Sequence, residues 1–210
     1  LLAASDIHLE HHSYAAHPLM SGDSYFALHQ LAHLCRKNDV SVLLAGDVFE
    51  RAYPDALTVS KALRTLDGVF HGPQDDTIRY CFFVQGQHDF ASPPWLSLAN
   101  DAVHIGCGLK AGITVPGTSV KMAGLDYHHP SKLKQAIREM PEDCDILVFH
   151  QSWSEMVGNF PADGSLVEDV LSVHPNTKLI ISGDVHISRQ MTIKHPNGEC
   201  LFLSPGPTSL

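Results

Sequence analysis

Ser41-Val42-Leu43-Leu44-Ala45-Gly46-Asp47-Val48-Phe49-Glu50 decides how the chain folds. The apolar residues running up to Ala45, β-branched at Val40 and Val42, stop at Gly46, which is the pattern of a strand buried in a parallel sheet. Asp47 then stands at the C-terminal lip of that strand, where open α/β sheets bind their ligands. Gly-Asp is also ordinary punctuation after a strand, so this dipeptide alone decides nothing. Four further strand-like runs end on Asp or His, at Asp6/His8, His88/Asp89, His150 and Asp184/His186, and that recurrence makes Asp47 the hub of an expected metal site. Carboxylates and imidazoles suit divalent ions of intermediate hardness. Two such ions roughly 3.5–4 Å apart share a carboxylate and clamp the attacking and leaving oxygens of a displacement at phosphorus.

Outward from this stretch, Leu1 to Ser5 reads as a first strand, followed by a polar loop to Gly22. A helix opens at Asp23 or Ser24 with Leu28, Leu31, Ala32 and Cys35 on one face. Pro54 suits the first position of a second helix, packed through Leu57, Leu63 and Leu66. Ile78–Val84 is a third strand, ending at Gln85-Gly-Gln-His-Asp89. Strand and helix alternate to this point, which predicts a parallel sheet with right-handed crossovers. Glycines 106, 108, 112 and 117 then split Val103–Ile105, Ile113–Val115 and Ser119–Ala123 into short strands of an antiparallel or mixed second sheet. A helix over Leu133–Met140, a strand over Asp145–Phe149, a helix near Leu166–Val173 and a strand over Lys178–Ser182 follow. Met191–Lys194 and Glu199–Leu203 form a hairpin turning through Asn197-Gly198. The expectation is one layered α/β domain over residues 1–210, without repeats or linkers. The chain starts inside a strand without an initiator Met and stops at Ser204-Pro-Gly-Pro-Thr-Ser-Leu210 with no helix to tie the end down, so a fragment truncated at both ends is expected.

Composition narrows the class. With 44% hydrophobic and 18% charged residues the chain is globular, not disordered. No apolar run has membrane-spanning length and no leader pattern is present, so no membrane partner is expected. The five cysteines, Cys35, Cys81, Cys107, Cys144 and Cys200, are odd in number and lack a Cys-x-x-Cys pair, which argues against disulfides or a thiolate zinc site and for reduced thiols in a cytoplasm. The net charge of −9 opposes a polyanionic partner unless bound cations or another subunit offset it.

Asp6-x-His8, Gly46-Asp47-x-x-Glu50, Gly86-Gln-His88-Asp89, His150 and Gly183-Asp-x-His186 resemble, in order, the motif set of the calcineurin-like metallophosphoesterases. His8-Leu9, Gly-Asp-Val-Phe-Glu50 followed by Pro54, and His150-Gln151 further resemble the SbcD-type nuclease subunits of DNA double-strand-break-repair complexes. The resemblance implies the layered metallophosphoesterase fold, mixed β-sheets sandwiched between helices, with the metal site at the C-terminal ends of the strands. It implies a first ion on Asp6, His8, Asp47 and His186, and a second on Asp47, His150, Gln87 and Asp184, with Asp47 shared. His88 would be the general acid or transition-state stabiliser, with Asp89 holding its other ring nitrogen. It further implies an ATPase partner subunit, DNA as substrate, and room for a homodimer.

Two positions depart from the family pattern, which has Asn where this chain has Gln87 and His where it has Asp184. Both fall on the second ion. Three carboxylates, Asp6, Asp47 and Asp184, favour hard cations such as Mn²⁺ or Mg²⁺, and weaker second-site occupancy is expected. Among the remaining histidines, His29 and His33 are spaced as on a zinc-protease helix but lack its glutamate, since position 30 is Gln, and are expected to be solvated or packed. His11, His12 and His17 read as loop surface, while His128 and His129 follow the strand-like Lys121–Leu125. Gly106-Cys-Gly108 lacks the spacing of a dinucleotide site. Trp153 and Phe160 are candidates to contact a base or subunit, against a plain hydrophobic plug. The leading function is a two-metal DNA exo- or endonuclease. The alternatives are a small-substrate phosphomonoesterase or cyclic-nucleotide phosphodiesterase, and a degenerate scaffold domain.

Overall fold

The computed structural model describes residues 1–10, 22–70, 78–108, 111–157 and 167–208. Two sheets lie back to back and helices cover their outer faces. The first sheet holds β1 (Leu2–Ala4), β2 (Val42–Ala45), β3 (Cys81–Val84) and β4 (Ala102–His104), all parallel and in chain order. The crossovers α1 (Asp23–Asn38) and α2 (Ala56–Phe70) link its first three strands. The second sheet is mixed, in the order β5 (Ile113–Thr114), β6 (Lys121–Leu125), β7 (Ile146–His150), β8 (Leu179–Gly183), β10 (Gly198–Ser204) and β9 (Arg189–His195). Between its strands come α3 (Pro130–Glu139), the single turn α4 (Ser154–Val157) and α5 (Val167–Val173).

The twofold period of a strand sorts side chains between the layers. In β2 and β3, Val42, Leu44, Cys81 and Phe83 pack outward against Leu28, Leu31, Ala32 and Cys35 of α1 and Val59, Ala62 and Leu66 of α2. Their neighbours Leu43, Ala45, Phe82 and Val84 point the other way, onto Met122, Val148 and Ile181 of the second sheet. There Leu147, Phe149, Ile180 and Phe202 turn away from the seam onto Leu133, Ile137, Val170 and Leu171. Burial on both faces is why these strands read as continuous apolar runs. Back-to-back stacking also sets the C-terminal ends of β1, β2 and β3 beside those of β7 and β8.

Several local expectations are revised. Val103 lies in β4, which extends the first sheet in parallel with β3 and does not join the second. Pro54 sits outside α2, where Asp55 is the cap, its Oδ1 accepting the Thr58 N–H at 2.8 Å. That shifts the buried face of α2 to Val59, Ala62 and Leu66, and Leu57 is exposed. The β9–β10 hairpin turns at Pro196-Asn197, with Gly198 already paired to His195. Trp153 is fully buried between Phe149 and Phe202 and donates its indole N–H to Ser182 Oγ at 2.9 Å, so it is the plug and no base platform. His11, His12, His17, Phe160 and the start of the helix near Leu166 lie outside the described residues.

The segment after β10 is tied down without a helix. Ser5 Oγ donates to the Gly206 carbonyl at 3.2 Å, and Thr208 Oγ1 donates to the Ser5 carbonyl at 2.6 Å. Among the described residues no helix is long and apolar enough to cross a membrane.

Phe82, at the seam between the sheets, is expected to tolerate truncation poorly. Phe82→Ala should lower the unfolding free energy by about 3–5 kcal/mol, whereas Phe26→Ala, at 65% exposure, should stay within about 0.5 kcal/mol of the parent in urea unfolding.

Candidate metal centre

Four of the ligand-type residues sit at tight backbone reversals just past their strands. Asp6, His8, Asp47 and Asp184 take φ of 53°, 49°, 49° and 76°, in the left-handed region that Asp and His enter more readily than most residues. The β1–β2 ladder continues past the strands, with Asp6 N–H on the Gly46 carbonyl at 3.1 Å and His8 N–H on the Asp47 carbonyl at 3.0 Å. Buried Ile7, Leu9, Val48 and Phe49 anchor the two loops from below. Neighbouring strand ends approach so closely that a Cβ on Gly86 would run into the Asp47 carboxylate, and one on Gly46 into the His150 ring.

Among the described residues, three sets of donor atoms lie within 4.8 Å of one another: Asp6/His8/His186, Asp6/Asp47/His150 and His8/Glu50/His88. Asp47 Oδ1 accepts the His88 backbone N–H at 3.0 Å, while its Oδ2 lies 3.1 Å from His150 Nε2 and 3.9 Å from His8 Nε2. With His150 neutral and its Nε2 an acceptor, Asp47 Oδ2 and His150 Nε2, like Asp6 Oδ2, are buried without a hydrogen-bond partner, and a proton on Nε2 turns the 3.1 Å approach into an ion pair. Such atoms are costly unless something else satisfies them. His8 Nε2 and His186 Nε2 face each other at 3.3 Å, an approach that a shared cation makes favourable.

The histidine tautomers agree with this. His150 Nδ1 donates to the Ala45 carbonyl at 2.6 Å, and His8 Nδ1 donates to Glu50 Oε2 at 2.9 Å. Both bonds place a ring proton on Nδ1, so that Nε2, once it carries no proton, directs its lone pair into the centre. Asp6, His8, Asp47, His150 and His186 therefore fit a divalent cation. Gln87 and Asp184 lie beside these groups and are held by each other: Gln87 Nε2 donates to Asp184 Oδ1 at 2.7 Å, the Ser152 hydroxyl donates to Asp184 Oδ2, and Asp184 Oδ1 lies 3.9 Å from His150 Nε2.

His88 is exposed at the rim and its ring sits edge-on to His8, with centroids 5.1 Å apart. Its Nδ1 lies 3.2 Å from the Glu50 carbonyl, which can only accept, so Nε2 is left to face the open side. The expected Asp89 partner is not there. Asp89 instead accepts backbone N–H groups of Val48 at 2.7 Å and Gly86 at 2.8 Å, tying the loops after β2 and β3 together. Burial, followed by the neighbouring charge of Asp47, lifts its carboxyl to about 7 even against those donors.

Charge balance varies across the centre. Burial pushes the His8 imidazole below its ordinary value, against the pull of Asp47 and Glu50, which favours the neutral, ligating form. The hydrogen bond to Asp6 raises His186. Asp6 falls below the carboxylate range, because His186 and His150 outweigh the upward push of burial. Burial opposes a charge on His150, yet Asp47, Asp6 and the Ala45 carbonyl lift it to about 9.

Three contributors were not assigned from the sequence. Glu50 lies in the quoted motif three residues after Asp47, and its carboxylate orients His8. Ser152, two residues after His150, has no motif signal. Asp126 ends β6 without a preceding glycine. It accepts from His104 Nε2 at 2.9 Å and from the Gln85 N–H at 2.7 Å, and thereby seats the base of the Gly86–His88 loop. His128 donates Nδ1 to the Asp126 carbonyl at 2.7 Å, and His29 and His33 are exposed.

The family model described as calcineurin-like phosphoesterase matches residues 1–188. No curated protein matches the chain in sequence. Among solved structures, a dimetal phosphatase from Danio rerio aligns with a TM-score of 0.59 at 13% identity, covering 99% of this chain and 87% of that one. A protein assigned as a 5'-nucleotidase from Staphylococcus aureus, solved with alpha-ketoglutarate, aligns with a TM-score of 0.54 at 16% identity, covering 99% of this chain but 48% of that one, so this chain spans about half of it. At these identities the likeness is one of fold.

A cation must expel the proton held by His150, so Mn²⁺ uptake at neutral pH should release protons, read as buffer-dependent heats in calorimetry. Because the folded value is raised from 6.5 to about 9, the stability it confers on the metal-free chain is complete below 6.5 and lost as pH rises through 9. Melting temperatures of the metal-free protein should fall across that window, and a flat profile would overturn the assignment.

Proposed function

The chain belongs to the calcineurin-like phosphoesterases and is a metal-dependent phosphoester hydrolase, and from that premise we propose that it cuts phosphodiester bonds in DNA as the nuclease subunit of a larger repair or recombination complex. The observation that carries the reading is the convergence of Asp6, His8, Asp47, His150 and His186 on buried donor atoms without partners. Divalent cations held there, Mn²⁺ or Mg²⁺ by the hardness of the donors, would polarise a phosphoryl oxygen and neutralise developing charge.

The chain's own residues supply the rest. Asp47 pins the His88 backbone, and the Glu50 carbonyl holds its Nδ1 proton. As water forms the new bond to phosphorus and the old P–O bond breaks, His88 Nε2, when protonated, can pass a proton to the departing oxygen. His88 and His186 are exposed, so the rim is open to a long backbone as well as to a small ester. The resemblance of Gly-Asp-Val-Phe-Glu50 and His150-Gln151 to nuclease subunits favours DNA. An ATPase partner would then supply the basic grip that a chain of net charge −9 lacks. A single domain, reduced cysteines in a cytoplasm and a homodimer belong to the same proposal.

The second reading, a phosphatase or phosphodiesterase of small substrates, is favoured by that negative charge and by the burial of Trp153 away from any base. Linear duplex DNA and a chromogenic phosphodiester, each assayed with Mn²⁺, separate the two. We expect DNA cleavage that disappears in Asp47→Ala and drops roughly 10²–10⁴-fold in His88→Ala. Turnover of the small ester with DNA left intact would assign the second reading, and full activity in Asp47→Ala would refute both.

A further inference from the structure

The ligand-type groups of the centre differ in what they lack. Asp6 Oδ2, Asp47 Oδ2 and His150 Nε2, which span both expected cation positions, are buried with no hydrogen-bond partner. Asp184, at the second position, has Gln87 Nε2 on Oδ1 at 2.7 Å, the Ser152 hydroxyl on Oδ2, and its own N–H given to Asp6 Oδ1 at 3.1 Å. Resting on the metal-dependent reading above, we propose that Gln87, Ser152 and Asp184 form a hydrogen-bonded clasp that closes the second cation position, so that the centre rests with one ion and admits another only when the clasp opens.

The chemistry of the pair supports this. Gln87 stands one methylene longer than Asn, and that extra reach carries its amide to Asp184. A carboxylate can accept from an amide and a hydroxyl at once, one on each oxygen, which an imidazole cannot do. The two unusual residues thus complement each other, and neither makes the same contact alone. Turning the amide over would set Oε1 against a carboxylate oxygen, so the donor orientation is the one that holds. Hydrogen bonds to an ionised acceptor are stronger than neutral ones, and a second cation must displace or reorient at least one of them to take an Asp184 oxygen. Losing one such bond is enough to separate the two dissociation constants about tenfold or more. Cation concentration then becomes a switch between a one-ion and a two-ion centre.

Manganese titration of the purified chain without substrate, followed by electron paramagnetic resonance, tests the clasp apart from catalysis. Wild type should bind one Mn²⁺ before the second, with spin coupling between ions appearing only at excess metal. Ser152→Ala should tighten the second step about tenfold, and the Gln87→Asn/Asp184→His double variant should bind two ions with similar affinities. Circular dichroism confirms that each variant is folded. Two equally tight ions in wild type would overturn the clasp, as would a second step that neither variant moves. Absence of any Mn²⁺ binding in wild type would overturn the metal centre itself and the clasp with it.

Discussion

The two oxygens of Asp47 do different jobs, and the site exists because they can. Oδ1 is held by the backbone of His88, which fastens the loop after β3 to the end of β2. The Asp47 carbonyl takes the His8 N–H and fastens the loop after β1 in the same way. Oδ2 is left facing His150, on the far sheet, where only the proton of that imidazole or a cation can satisfy it. One residue therefore locks three strand ends together, through its backbone and one carboxylate oxygen, and faces a fourth with the other. Glycine at 86 is the condition for this, since any larger residue would occupy the space of the carboxylate.

Much of the geometry is set by the polypeptide before any ion arrives. Left-handed backbone at Asp6, His8, Asp47 and Asp184 costs of order 1 kcal/mol or more at each position, and packing of Ile7, Leu9, Val48 and Phe49 beneath the loops offsets it. The Ala45 carbonyl and Glu50 fix the proton positions on His150 and His8. The result is a cluster of negative and neutral donors whose mutual repulsion is relieved, in the metal-free chain, by protons. That is why burial and neighbouring carboxylates act in opposite directions on His150 and why the carboxylates prevail.

How far this was readable from the sequence follows from the physics of each element. Val42–Ala45 and Cys81–Val84 were legible because both faces are buried, so every residue is apolar. The edge strand β4 was not assigned to its sheet, because Ala102–His104 is short and half-buried and its pairing with β3 leaves no periodic trace. The strand-end Asp and His residues were legible as a recurring pattern. Their second neighbours were not: Asp126 meets His104 across 22 residues of sequence. Asp89 was read as a partner of His88, its neighbour in the chain, but its carboxylate turns inward to backbone N–H groups that no motif encodes. Trp153 was open to two readings until the Ser182 hydroxyl showed where its indole proton goes.

The donor set straddles the seam between the two sheets, with Asp6, His8 and Asp47 on one and His150, Asp184 and His186 on the other. A ligand that grips both acts as a rivet through two plates that otherwise adhere by apolar contact along the seam and by a few hydrogen bonds at its rim, such as His150 to the Ala45 carbonyl and the Asp184 N–H to Asp6. Its binding energy adds directly to the work of prying the plates apart, so occupancy becomes visible as resistance to heat. Breathing of the seam and escape of the ion are, in such an arrangement, the same motion.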